Sequence, residues 1–125
     1  SKNIIRRAGE NIAAAEVEAV LQNHENVAQA AVLAAPDELR EEEVYACIVV
    51  MPGVAADTAL AEDLFDWCLE RLSYFKAPGY LLFLEKLPTT GTQKIQKGQI
   101  FEPDTDMTTV QGIHDFRSRK KRSKT

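Results

Sequence analysis

A chain of 125 residues, 45% of them hydrophobic, is long enough to bury one compact core and too short for two domains of ordinary size. Its net charge of −4 hides an asymmetry: six basic residues (Arg117, Arg119, Lys120, Lys121, Arg122 and Lys124) fall in the last nine positions, leaving residues 1–116 at −10. A body this acidic excludes duplex nucleic acid as the main partner, two histidines (His24, His114) and two cysteines without a CxxC are too few for a zinc cage or a catalytic triad, and no apolar run reaches the roughly 20 residues of a membrane-spanning helix.

The chain opens without methionine inside what reads as a strand, residues 2–7, so the expectation is a piece of a larger parent to which the function belongs. After Ala8-Gly9, Asn11 is placed to cap a helix in which Ala13, Val17, Val20 and Leu21 recur at helical spacing, ending near Asn23. Residues 27–34 and 44–50 are apolar runs that predict two paired strands, split by Pro36-Asp37 and the acidic cluster Glu41-Glu42-Glu43. Pro52-Gly53 closes the second run. Thr58 can cap a second helix, with Leu60, Leu64, Cys68 and Leu72 stacked at intervals of four.

Residues 80–84 predict a third strand, and Leu87-Pro88-Thr89-Thr90-Gly91-Thr92 cannot continue it, so a loop carries Lys94 outward. Residues 95–101 predict a short helix, after which Pro103, Asp104 and Asp106 begin an irregular end. Cys47 in a strand and Cys68 in a helix predict buried, reduced thiols. The order strand, helix, strand, strand, helix, strand predicts an α+β layer: a small sheet of about three strands with flanking helices and an N-terminal hairpin over residues 1–101, followed by an irregular extension, 102–125, with a solvated basic tail.

Three surface-prone segments carry chemistry-bearing residues: Arg6-Arg7-Ala8-Gly9-Glu10-Asn11, Tyr74-Phe75-Lys76-Ala77-Pro78, and the loop ending in Lys94. Each alone reads as a turn, a helix end or a solvated lysine. In this order they resemble the C-terminal subdomain of AMP-forming acyl-CoA synthetases, within the adenylate-forming superfamily that includes peptide-synthetase adenylation domains and luciferases. Residues 2–12 followed by Glu16-Val17-Glu18 look like the family's hinge-and-glycine motif, residues 74–78 like its aromatic-Lys-x-Pro turn, and residues 87–95 like its lysine loop. The resemblance covers residues 2–101. It departs from the family where Thr92-Gln93 replaces the common Ser-Gly before the lysine, where Ala13-Ala14 replaces residues that cap the first helix, where Glu41 replaces a common glycine, and where Ala77 replaces a cation.

The resemblance implies an enzyme that makes an acyl-adenylate from a carboxylic acid and ATP, then lets CoA displace AMP. Those steps need different groups at one reacting centre, and rotation of a subdomain swaps one set for the other. By the same resemblance Lys94 serves adenylation, and Gly9 lies against the pantetheine arm of CoA with Glu10 and Asn11 flanking it. Phe75 stacks on the CoA adenine, Lys76 and Arg40 contact phosphate, Arg6 approaches AMP in the thioester-forming state, and Lys2 is the hinge. The implied partners are the N-terminal adenylation domain of the same chain and a small carboxylic acid, with ATP, Mg2+ and CoA used by the full-length enzyme. None of these is expected on the isolated piece, which is expected to be inactive, and no metal site is expected within it. A cytoplasmic location is expected. Two other readings stay open: a peptide-synthetase subdomain that loads a carrier protein, and a non-catalytic interaction module.

Overall fold

The computed structural model describes residues 3–121; Lys2, expected as the hinge, and the basic residues Arg122 and Lys124 lie outside the described residues. The elements are β1 (Ile4–Arg7), β2 (Glu10–Ala13), α1 (Ala14–Gln22), β3 (Val27–Asp37), β4 (Glu41–Val50), α2 (Thr58–Arg71), β5 (Tyr80–Phe83) and β6 (His114–Asp115). They form one sheet of six strands, β2-β1-β4-β5-β6 with β3 on the other side of β4. The α+β class stands, but the expected three strands are half the number present. The N-terminal hairpin joins the sheet, and the chain returns after residue 113 to add β6 to β5.

The first helix begins later than expected. Asn11 lies in β2, opposite Arg6, because pairing Ile12 with Ile5 buries both and holds the backbone extended as far as Ala13. No side chain caps α1; the Ala14 N–H donates to Asn3 O at 2.9 Å instead. The second helix is capped by Asp57 rather than Thr58, its carboxylate accepting the Leu60 N–H at 2.9 Å.

Pro36-Asp37 and Glu41-Glu42-Glu43 do not separate the two long strands. They pair across them, Pro36 with Glu42 and Asp37 with Glu41, so residues 38–40 alone make the turn. Proline is tolerated because β3 bonds only β4 and its other edge needs no N–H there. The Asp37 carboxylate accepts the Leu39 and Arg40 N–H groups, an Asx turn, and Glu41 takes a left-handed φ of 77°, a region that favours glycine.

Side chains alternate across β4 and β5 into two cores. Val44, Ala46, Ile48 and Leu81 face α1 and α2, meeting Val17, Leu21, Leu64, Phe65 and Cys68. Tyr45, Cys47, Tyr80 and Leu82 face the other way, where Leu87, Ile95, Ile100, Phe101, Met107, Val110 and Ile113 cover them. Double coverage explains why residues 44–50 read as an unbroken apolar run. Burial pushes the Cys47 and Cys68 thiols up to about 12, as suits free, buried cysteines.

Two further expectations change. Residues 95–101 form a single 3-10 turn, Lys97–Gln99, rather than a helix. The basic tail packs onto the body as far as Lys120: Phe116 stacks on Phe65 with centroids 4.8 Å apart, Arg117 bonds Asp37 and Asp115, and Arg119 reaches Asp66 and lies over Phe65. These cations neutralise the acidic body locally, which is why they do not behave as a solvated run.

Candidate functional site

The β1–β2 turn is two residues long, Ala8-Gly9. Ala8 and Gly9 both have positive φ, 48° and 85°, the two-residue hairpin geometry that favours glycine at the second position. A Cβ at Gly9 would meet nothing within 4 Å, so the glycine presents bare backbone outward. The Ala8 N–H donates to Arg40 O at 2.9 Å, bringing the β3–β4 turn beside it. Arg40 lines a recess of about 840 Å³ together with Asp37, Tyr80, Asp115 and Arg117. Glu10 and Asn11 are exposed, and Arg6 donates from Nη1 to Asn11 Oδ1 at 3.2 Å and from its backbone N–H to Glu42 Oε1 at 2.7 Å.

The aromatic turn is a 3-10 segment, Tyr74–Lys76. Phe75 is half-buried against the helix-side core with its ring edge-on to Tyr74, and Lys76 extends to Glu16 Oε1 at 2.9 Å. Lys76 is therefore an ion-pair partner of α1 here. Below this turn sits a group of charges that sequence reasoning missed. Glu43, whose side chain is 0% exposed, accepts from Arg7 Nε at 3.0 Å, from Lys120 Nζ and from the Val44 N–H at 2.8 Å. Lys120 Nζ, also 0% exposed, donates in addition to Phe75 O at 3.0 Å. Burial pushes the Lys120 ammonium down to about 8, opposed by the pull of Glu43. Gly79 is obligatory here, since a Cβ on it would overlap the Glu43 side chain.

Lys94 stands apart. Thr89 and Ile95 form an antiparallel bridge, and inside it the Gln93 and Lys94 N–H groups bond Thr90 O and Thr90 Oγ1 at 2.9 and 3.3 Å. Gln93 takes a φ of 69°, a left-handed conformation that favours glycine and that glutamine adopts here. The loop is anchored beyond its tip by Lys97, whose Nζ bonds Glu18 Oε2 at 2.7 Å and Val32 O at 2.9 Å, while Glu18 also accepts the Val32 N–H at 2.8 Å. That clasp fills both free backbone groups of Val32 on the edge strand and blunts it. The Lys94 side chain is exposed and has no ion-pair or hydrogen-bond partner among the described residues.

The fold thus brings the Phe75 turn, through Phe75 O, and the Gly9 hairpin, through Arg7, to one buried carboxylate, sets Arg40 beside Tyr80 in the recess, and leaves Lys94 next to Ile95 in the layer that covers the other face. Arg7 could have been found by period 2, as it alternates with the inward Ile5. Lys120 had no signal, being one lysine in a basic run. Among the described residues no group of three or more His, Cys, Asp or Glu could hold a metal ion, and no helix is long and apolar enough to cross a membrane.

Comparison with known proteins gives the family of this fold. Residues 16–94 match the family described as AMP-binding enzyme C-terminal domain. The mitochondrial medium-chain acyl-CoA ligase of Mus musculus is 40% identical over 102 residues, which span 82% of this chain and 16% of that one. The crystal structure of an acyl-CoA synthetase from Brucella canis superposes with a TM-score of 0.73 at 35% identity, over 76% of this chain and 18% of the other. A double mutant of the o-succinylbenzoate CoA synthetase of Bacillus subtilis, solved with the product analogue OSB-NCoA, superposes with a TM-score of 0.70 at 35% identity, over 80% of this chain and 20% of that one. The chain therefore spans about a fifth or less of the length of these relatives, and it belongs to the AMP-binding enzyme C-terminal domain family, in the form found in AMP-forming acyl-CoA synthetases.

Proposed function

We propose that this domain works as the mobile C-terminal part of a longer acyl-CoA synthetase that adenylates a carboxylic acid and passes the acyl group to CoA. In the first step a carboxylate oxygen attacks the α-phosphorus of ATP and pyrophosphate leaves. In the second the CoA sulfur attacks the acyl carbon, the bond to the phosphate oxygen breaks, and AMP leaves. Mg2+ enters with ATP, and the nucleotide and acid pockets belong to the rest of the enzyme.

Lys94 carries the first step. The observation that supports this is an exposed ammonium, unpartnered among the described residues, on a loop held by the Thr89–Ile95 bridge and the Lys97 clasp. Such a cation can enter a cleft and meet the carboxylate and α-phosphate as charge gathers there, without first breaking an ion pair of its own. The second step falls to the other face, where the bare backbone at Gly9 admits the pantetheine arm, the Phe75 ring takes the adenine, and Arg40 with Lys76 lies near phosphate. Arg6 is the cation for AMP in that state, and Lys2 is the hinge that exchanges the two faces. The B. subtilis relative, seen with a CoA product analogue in one structure and with its acyl-adenylate in another, supports the same pair of ligands.

The test is the half-reaction split. In the longer enzyme, Lys94→Ala is expected to slow pyrophosphate release about a hundredfold, ~3 kcal/mol, with thioester formation from supplied acyl-adenylate within about threefold of the parent. Undiminished pyrophosphate release overturns the reading. The same reading places the enzyme in the cytoplasm, which cell fractionation checks; recovery in mitochondria, where the mouse relative's name puts that protein, would overturn the placement.

A further inference from the structure

We propose that Lys120 is a positioning residue for the CoA half of the reaction, tying the Gly9 hairpin and the Phe75 turn to one buried carboxylate. This rests on the functional reading above. Residues 114–120 lie beyond the segment matched by the family, 16–94, and they grip the aromatic turn at two points. The Phe116 N–H donates to Gly79 O at 2.7 Å just after the turn, and Lys120 Nζ donates to Phe75 O at 3.0 Å within it. The same ammonium bonds Glu43, which on its other oxygen holds Arg7, the residue next to Ala8-Gly9.

One carboxylate therefore fixes two separate pieces of chain to each other. The geometry has little freedom, since Glu43 and Lys120 side chains are fully buried, Arg7 is 4% exposed, and Gly79 leaves the space that the Glu43 side chain fills. A cation this deep is costly unless paired, and here the ammonium is satisfied twice, by Glu43 and by Phe75 O. Its second bond goes to a backbone carbonyl of the turn that carries Phe75, so its loss frees the turn while leaving the Arg7–Glu43 pair in place. Lys120 touches no reacting atom. It acts through the placement of Phe75 and Gly9.

Lys120→Met in the longer enzyme, with the two half-reactions measured separately, tests this. The expected result is a KM for CoA raised about tenfold, with pyrophosphate release within about twofold of the parent at a temperature where both proteins are folded; the thermal midpoint falls, because Phe75 O and one Glu43 oxygen lose their buried donor. Lys120→Arg, which can reach the same two acceptors, should restore most of the affinity for CoA. Equal losses in both half-reactions, or a KM unchanged by Lys120→Met, overturn the proposal. Phe75→Ala separates the two levels of the argument. A KM raised by Phe75→Ala but not by Lys120→Met removes the positioning role alone, whereas a KM unmoved by both removes the CoA reading and this role with it.

Discussion

Two lysines of this domain sit in opposite surroundings. Lys94 is exposed just after the turn at residues 90–93, held through its backbone to Thr90, and its ammonium is left to water. Lys120 is buried, and its ammonium is spent on Glu43 and on the Phe75 carbonyl. The contrast shows what burial does to a cation. In water a lysine can wait for a ligand because its charge is already solvated; in the core the lost hydration must be replaced by fixed partners, so the residue becomes a tie between segments. The two faces of the sheet divide along the same line. One presents a free charge on a small, locally bonded loop, and the other organises a broader surface from beneath.

The largest expected effect breaks the buried side of this comparison. Glu43→Ala leaves Arg7 and Lys120 as two buried cations without their counter-ion, and is expected to cost about 3–5 kcal/mol, read as a lower urea midpoint by Trp67 fluorescence. Trp67 is a suitable reporter because its indole N–H bonds Val20 O at 2.8 Å, joining α2 to α1 across the helix layer. A loss below about 1 kcal/mol would mean the cluster is not the tie described here.

On the exposed side the effects are smaller and local. Lys97→Met removes the clasp to Glu18 and Val32 but leaves the Thr89–Ile95 bridge. Exchange of the Lys94 and Gln96 amide hydrogens, bonded to Thr90 Oγ1 and Pro88 O, should accelerate about fivefold, equivalent to about 1 kcal/mol, while the urea midpoint shifts by much less than for Glu43→Ala. Equal acceleration across the whole chain would show that the loop is not an independent unit.

The contrast also explains what the sequence reveals. The Lys94 loop is readable because its devices are local: a proline, three threonines and a glycine over residues 88–92 make the turn chemistry visible. The helices are readable by period, although Asn11 misled the start of α1, since register with β1 overruled a good capping residue. The other misreading has a tertiary cause. Pro36 and Glu41-Glu42-Glu43 look like a loop by composition yet lie in paired strands, because Asp37 supplies the turn and Glu43 points into a cluster assembled from residues 7, 79 and 120. Nothing local marks a lysine as buried when its partner lies 77 positions away. Of the candidate site, the residues that face outward were legible, and the cluster that holds them was not.

The smallest effect concerns the tail's other anchor, and its sign follows from linkage. Arg117 donates to Asp115 and, through Nη1, to Asp37 at 3.0 Å. Its hydrogen bonds hold the Asp115 carboxyl below the ordinary 3.8. At Asp37 burial pushes the value up, but the bonds from Arg117 and from the Arg40 and Leu39 N–H groups outweigh it, so this carboxyl too is lowered. A carboxyl with a depressed folded-state pKa contributes stability that is fully present above the unfolded value and is lost as pH falls through the folded one. Arg117→Met is therefore expected to lower the urea midpoint at pH 6. The gap from the parent should narrow as pH falls from the ordinary 3.8 through the lowered folded-state values, where the parent's two carboxyls take up protons as well. A gap of the same size at pH 6 and at pH 3 would show that Arg117 contributes by packing over Tyr80, where its guanidinium lies 4.9 Å from the ring centroid, rather than through the two carboxylates.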